Sequence, residues 1–224
     1  MKRISILLTL LLFPILATCQ PALADAPNPQ IMEVYVLTDN AIAQGTAFYL
    51  TVDNQNTVVA AYHLLKYLNV DPSSAQVYLA RESWFEPVTI TGVDPSNDLM
   101  FLSVPKELDR VTPLHLAKNI TTNETLYGER YIDTQGMLPP FRANLYYTGP
   151  VTEIMPNGSW SLEFDGYALY GGDIYPGDSG SPLLTPDGNV AGMTVAGGNG
   201  EILAIPAATI RQDLIKMGGN DHVS

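Results

Sequence analysis

The chain has 224 residues, 46% of them hydrophobic and 15% charged, a balance that suits a folded body and excludes a disordered or low-complexity protein. Its formal net charge of −12 excludes the basic surface that nucleic acid or an anionic membrane calls for. With one cysteine in the whole chain, no disulfide framework can form.

At the N-terminus, Lys2 and Arg3 precede an apolar run from Ile4 to Ala17, and Ala22-Leu23-Ala24 offers a small-x-small cleavage signature. Residues 1–24 therefore predict a secretory signal peptide cut near Ala24. The apolar run contains Pro14 and falls short of the roughly 20 residues that a membrane span needs. Leu16-Ala17-Thr18-Cys19 is similar to a bacterial lipoprotein box, in which Cys19 would be lipidated. A cut after Ala24 removes Lys2, Arg3 and Cys19 together, taking two of the 11 basic residues and moving the formal charge from −12 to −14. An exported chain without disulfides points to a bacterial secreted or periplasmic protein, clear of the membrane once the signal is gone.

Residues 25–30 form a Pro- and Ala-rich lead-in without periodicity. From Ile31, short apolar and β-branched runs recur at Ile31–Leu37, Gly45–Val52, Thr57–Ala61, Ala75–Ala80, Pro87–Val93 and Leu99–Val104. They are separated by Asp-, Asn-, Pro- and Ser-rich clusters, whose side chains bond their own backbone and so favour turns. Six strands in about 75 residues predict one small closed β unit over 31–106. Residues 107–118, with charges and a proline, predict a linker.

A second β unit is predicted over 119–206, from runs at Leu126–Ile132, Phe141–Ile154, Ser159–Phe164, Ala168–Ile174, Ser181–Thr185, Val190–Val195 and Ile202–Ile205. Thr185-Pro-Asp-Gly188 marks a turn within it. Helical spacing is confined to Tyr62–Tyr67 and Ala207–Met217; the latter sets Ile210, Leu214 and Met217 on one face and opens the 207–224 tail.

The chemistry concentrates in Gly177-Asp178-Ser179-Gly180-Ser181-Pro182, where glycines flank a serine and predict a tight loop with one hydroxyl and unobstructed backbone N–H groups. Of the three histidines, His222 lies near the C-terminus and His115 in the predicted linker, whereas His63 follows the strand Thr57–Ala61 at the start of a helical turn. Asp98 leads directly into the apolar run Leu99–Val104. It is the candidate acid, with Asp53, Asp94 and Asp173 as competitors and a turn cap as its structural alternative. No clustered His or Cys ligands suggest a metal, and no glycine-rich phosphate loop precedes a helix, so neither metal nor cofactor is expected.

The order His63, Asp98, Ser179 resembles that of the chymotrypsin-like, trypsin-fold serine endopeptidases. Several motifs carry the resemblance. Gly45-Thr46-Ala47-Phe48 is similar to the family's Gly-x-Gly-Phe strand, Val58-Val59-Ala60-Ala61-Tyr62-His63 to Val-x-x-Ala-Ala-His, and Asp98-Leu99-Met100-Phe101-Leu102 to Asp-Leu-Ala-Leu-Leu. The serine segment is similar to Gly-Asp-Ser-Gly-Gly-Pro, and Gly192–Gly197 to the strand lining the substrate cleft. The missing cysteines and Ala204-Ile-Pro206 before the last helix look more like the bacterial branch.

The resemblance implies an all-β fold of two six-stranded antiparallel β-barrels with a C-terminal helix. It implies a monomer that cleaves polypeptides bound in extended conformation. His63 would be the base, Asp98 its orienting acid and Ser179 the nucleophile, with Gly177 and Ser179 N–H groups as the oxyanion hole. Thr194, Val195 and Ala196 would pair with the substrate backbone, and Asp173 would occupy the primary pocket and favour Lys or Arg. No Ile-Val-Gly-Gly segment precedes Ile31, so Asp178 must find a partner other than a freed N-terminal amine. Tyr62 stands where the family has a small residue, which keeps open a second reading: an inactive member that binds peptides or proteins.

Overall fold

The structure, a computed structural model, describes residues 28–121, 124–131, 141–144, 151–157, 160–170, 175–198 and 201–218. The predicted signal peptide with Cys19, and Asp173 of the predicted pocket, lie outside the described residues.

The first sheet contains β1 (Ile31–Leu37), β2 (Ile42–Val52), β3 (Gln55–Ala61), β4 (Gln76–Arg81), β5 (Trp84–Val88), β6 (Ile90–Asp94), β7 (Leu99–Leu102) and the two-residue β8 (Leu114–His115). Helix α1 (His63–Leu68) follows β3, and a 3-10 turn spans Lys106–Leu108. The second sheet contains β9 (Thr125–Gly128), β10 (Phe141–Asn144), β11 (Val151–Asn157), β12 (Trp160–Tyr170), β13 (Pro182–Leu184), β14 (Val190–Gly198) and β15 (Glu201–Pro206). Helix α2 (Ala207–Gly218) ends the described chain.

Strand order in the first sheet is β5-β4-β1-β2-β3-β7-β6, with β8 parallel to β2. β5 and β6 stand at opposite ends of this order, yet Thr89 alone separates them in sequence. A sheet whose two ends are joined by one residue has to roll up on itself. This also explains why the run Pro87–Val93, expected as a single strand, is two: its first part pairs with β4 and its second with β7. Pro87 falls in β5, where the missing N–H faces no further strand. The second sheet runs β10-β9-β13-β14-β15-β12-β11, and an added β10–β12 pairing closes six of its strands into a ring.

Val58–Ala61 of β3 and all of β7 are buried and apolar instead of alternating, because both of their faces are covered. Val58, Ala60, Met100 and Leu102 point into the core of the first sheet. Val59, Ala61, Leu99 and Phe101 point the other way, into a cluster shared with Val190, Met193, Val195, Ile205 and the α2 residues Ile210 and Leu214. The period-two alternation of side chains thus assigns one face to the barrel interior and one to the junction with the second sheet and α2. Asp53 and Asn54, both at positive φ (50° and 69°), turn β2 into β3 in the conformation that two-residue hairpins favour. The segment predicted as a linker carries the 3-10 turn and β8, and it places His115 beside Thr51 of β2.

Candidate active site

The pairing of Ala61 with Leu99 puts the end of β3 beside the start of β7, and this register brings residues 62, 63 and 98 together. Tyr62 N–H donates to the Asp98 carbonyl at 3.0 Å. The Asp98 carboxylate then meets His63 twice: Oδ1 accepts the His63 backbone N–H at 2.6 Å, and Oδ2 lies 2.6 Å from Nδ1. Both side chains are buried. A carboxylate facing Nδ1 holds that nitrogen protonated and leaves Nε2 as the basic atom.

Two of the competing carboxylates, Asp53 and Asp94, are engaged elsewhere. Asp53 pairs with Arg211 on the surface, and Asp94 takes the role of turn cap, accepting from the N–H groups of Ser96 and Asn97. Tyr62 does not displace the base: its half-buried ring packs against the first-sheet core, with the Lys66 ammonium 5.5 Å above it.

The nucleophile loop reaches this pair from the other sheet. Two consecutive turns, Asp178 N–H to Tyr175 O at 3.0 Å and Ser181 N–H to Asp178 O at 2.9 Å, wind the chain around Ser179. On one side the loop is tied to β2: Thr46 N–H donates to Ser179 O at 2.9 Å, and Thr46 Oγ1 donates to Gly177 O at 2.8 Å. On the other it is tied to β14, where Gly180 N–H donates to Thr194 O and Thr194 N–H to Ser181 O, each at 2.8 Å.

Gly180 has φ +90°, and a Cβ there would lie 2.0 Å from Thr46 O, so only glycine fits. Gly45 is equally constrained, since its Cβ would stand 2.8 Å from Ser179 O and 2.9 Å from Leu64. Ser179 Oγ donates to the Val195 carbonyl at 3.2 Å. The backbone N–H groups of Asp178, Gly180 and Ser181 are all used within the loop or by β14; among the described residues those of Gly177 and Ser179 are not.

A family model, the trypsin-like peptidase domain, matches residues 45–193. The chain belongs to the trypsin-like peptidase family. Among solved structures, the active form of the Rv3671c protease from M. tuberculosis is similar over 96% of this chain and 95% of its own, at 22% identity and a TM-score of 0.66. Deg5 is similar over 83% of this chain and 87% of its own, at 21% identity and a TM-score of 0.60. The HtrA-type protease AlgW with tripeptide matches 86% of this chain and 62% of its own, at 21% identity and a TM-score of 0.62. At these identities the likeness shows the fold, the all-β double barrel with a C-terminal helix. No curated protein sequence matches.

In this peptidase domain the partner of Asp178 is Arg130, a residue that no sequence motif singles out. Arg130 Nε lies 3.2 Å from Asp178 Oδ1 with both side chains buried, and its guanidinium stands 5.0 Å above the Tyr175 ring. Tyr175 N–H donates to Asp178 Oδ2 at 2.8 Å. Burial pushes the Asp178 carboxyl above the ordinary carboxylate range, against the opposing pull of the Tyr175 N–H and of Arg130. Arg130 is itself set in a strap across both sheets: Glu129 N–H reaches Pro182 O at 3.3 Å, Glu129 Oε2 accepts from Asn28 at 2.8 Å, and Tyr131 Oη accepts the Glu82 N–H at 2.7 Å.

On the substrate side, the expected trio Thr194, Val195 and Ala196 needs one correction. Both backbone groups of Thr194 are already bonded to the nucleophile loop, because β14 has to hold that loop in place. Val195, whose carbonyl accepts from Ser179 Oγ, and Ala196 follow at an irregularity in the β14–β15 register.

Proposed function

We propose that this protein is a secreted serine endopeptidase working through Ser179, His63 and Asp98. Ser179 Oγ attacks the scissile carbonyl as His63 Nε2 takes its proton, and His63 later returns the proton to the leaving amine. Asp98 fixes the ring orientation and stabilises the imidazolium. The Gly177 and Ser179 N–H groups bind the developing oxyanion, an interaction whose loss costs about 10²–10³ in rate. Water then hydrolyses the acyl-enzyme. The substrate adds as an extended strand along Val195 and Ala196. Asp173 confers a Lys/Arg preference, and the chain acts as a monomer in the periplasm or outside the cell after cleavage near Ala24.

The single observation that carries the reading is the double contact between the Asp98 carboxylate and His63, at 2.6 Å to the backbone N–H and 2.6 Å to Nδ1. A turn cap would need the first contact only; the second serves a base. A second reading, an inactive family member that binds peptides, draws on the Ser179 hydroxyl donating to Val195 O. Fluorophosphonate labelling separates the two. We expect stoichiometric labelling of Ser179 at neutral pH, lost in His63→Ala, and an unlabelled wild type would leave only the binding module. A peptide-library profile of wild type against Asp173→Ala then tests the pocket.

A further inference from the structure

Strands β3 and β7 account for where Asp98 sits along the chain, but not for what holds its turn closed. Asp98 carries φ +53°, a left-handed conformation that is unfavourable for a residue with a Cβ. The residue just before it, Asn97, has two amide hydrogens to give. One goes to Asp94 Oδ2 at 3.0 Å, within the same turn. The other goes to Asp213 Oδ2 at 2.9 Å, on α2.

Asp213 is 1% exposed, and its other oxygen accepts from Lys216 Nζ at 2.9 Å. The same helix presses on the strand leading into the turn, since a Cβ at Gly92 would lie 2.2 Å from Met217 Sδ. Helix α2 follows directly from the second sheet, so a carboxylate anchored to one barrel grips the turn that delivers the acid of the other.

We propose that Asp213 and Asn97 are positioning residues for the reaction: through Asn97, the buried carboxylate of α2 holds Asp98 in register with His63. The inference rests on the triad reading above. The groups facing this turn are Asp94 within it, Asp213 and Lys216 from α2, and Asp98 with His63 beyond it.

The test compares wild type with Asn97→Ala, Asp213→Ala and Asp213→Asn in the full mature chain, with Arg211→Ala as a control on the same helix. Loss of register is expected to lower kcat about 10- to 100-fold in Asn97→Ala and Asp213→Ala. KM should stay within about two-fold, a split that separates lost positioning of the base from lost substrate binding. Asp213→Asn keeps an oxygen for the Asn97 amide and is expected to recover most of the rate; Arg211→Ala is expected to match wild type.

The inference is overturned if Asn97→Ala and Asp213→Ala keep wild-type kcat, if KM rises as much as kcat falls, or if Asp213→Asn recovers nothing while kcat falls only in step with the thermal midpoint. Should Asp213→Ala fail to fold, Asn97→Ala decides alone. Wild type that labels with fluorophosphonate alongside unaffected variants sinks this inference and spares the triad; wild type that does not label sinks both.

Discussion

His63 and Asp98 meet through adjacent strands of one sheet, whereas Ser179 arrives from the second sheet on a loop that must be fastened at both ends. In the first region, β3–β7 register does most of the positioning, and two 2.6 Å contacts complete it. In the second, the fastening is long-range: Thr46 from β2, Thr194 from β14, and the buried Arg130–Asp178 pair. Damage to the first region should therefore strike chemistry and spare the fold, while damage to the second should strike both. Burying an ion pair costs desolvation of two charges, so removing one partner leaves the other exposed to the full penalty.

The largest expected effect on rate comes from breaking the first region. Asp98→Asn should lower kcat by about 10⁴, because an amide in the carboxylate's place favours the wrong imidazole tautomer. The melting temperature should change far less than the activity. Active-site titration together with a melting curve checks both parts, and an active Asp98→Asn enzyme would remove Asp98 from the mechanism.

Breaking the second region should reverse the balance. Arg130→Met is expected to cost about 3–5 kcal/mol in urea unfolding, since it strands the Asp178 carboxylate in the interior. Its pH dependence has a definite sign. Burial raises the Asp178 pKa in the folded state, so the contribution of its protonated form is present below the ordinary carboxylate range and fades as pH rises through the raised value. The deficit of Arg130→Met should thus be largest near neutral pH and shrink as pH falls through the raised value and the carboxyl takes up its proton. A deficit independent of pH would mean that the guanidinium acts through packing on Tyr175 and not through charge.

The smallest effect tests the fastening of the loop itself. Gly180→Ala forces a side chain into positive φ against Thr46 O, and should lose at least about 1–2 kcal/mol. It should also slow fluorophosphonate labelling, because Gly180 N–H is one of the ties to β14. If labelling stays at the wild-type rate while stability falls, the nucleophile does not depend on that tie.

Much of this is legible in the sequence. The strands announced themselves through β-branched runs between Asp-, Asn-, Pro- and Ser-rich turn clusters, because these preferences act over a few residues. The candidate base, acid and nucleophile were legible because each lies at the end of an element with a recognisable local pattern. Arg130 was not, since nothing near Glu129-Arg130-Tyr131 signals a partner 48 positions later at Asp178. Asn97 and Asp213 were hidden for the same reason, and the division of Pro87–Val93 into two strands depended on which neighbours flank it after the sheet has rolled up.

The sequence by itself determined the period-two patterning, the turns, and the positions of His63, Asp98 and Ser179 at the ends of elements. Each of these follows from interactions between residues close in the chain. Only the tertiary structure decided that Arg130 answers Asp178, that Tyr62 packs away from the base, that Thr194 serves the loop instead of an incoming strand, and that α2 reaches back to Asn97. These are pairings between distant segments, and their partners are fixed only once two closed sheets and a terminal helix have excluded water from the space between them.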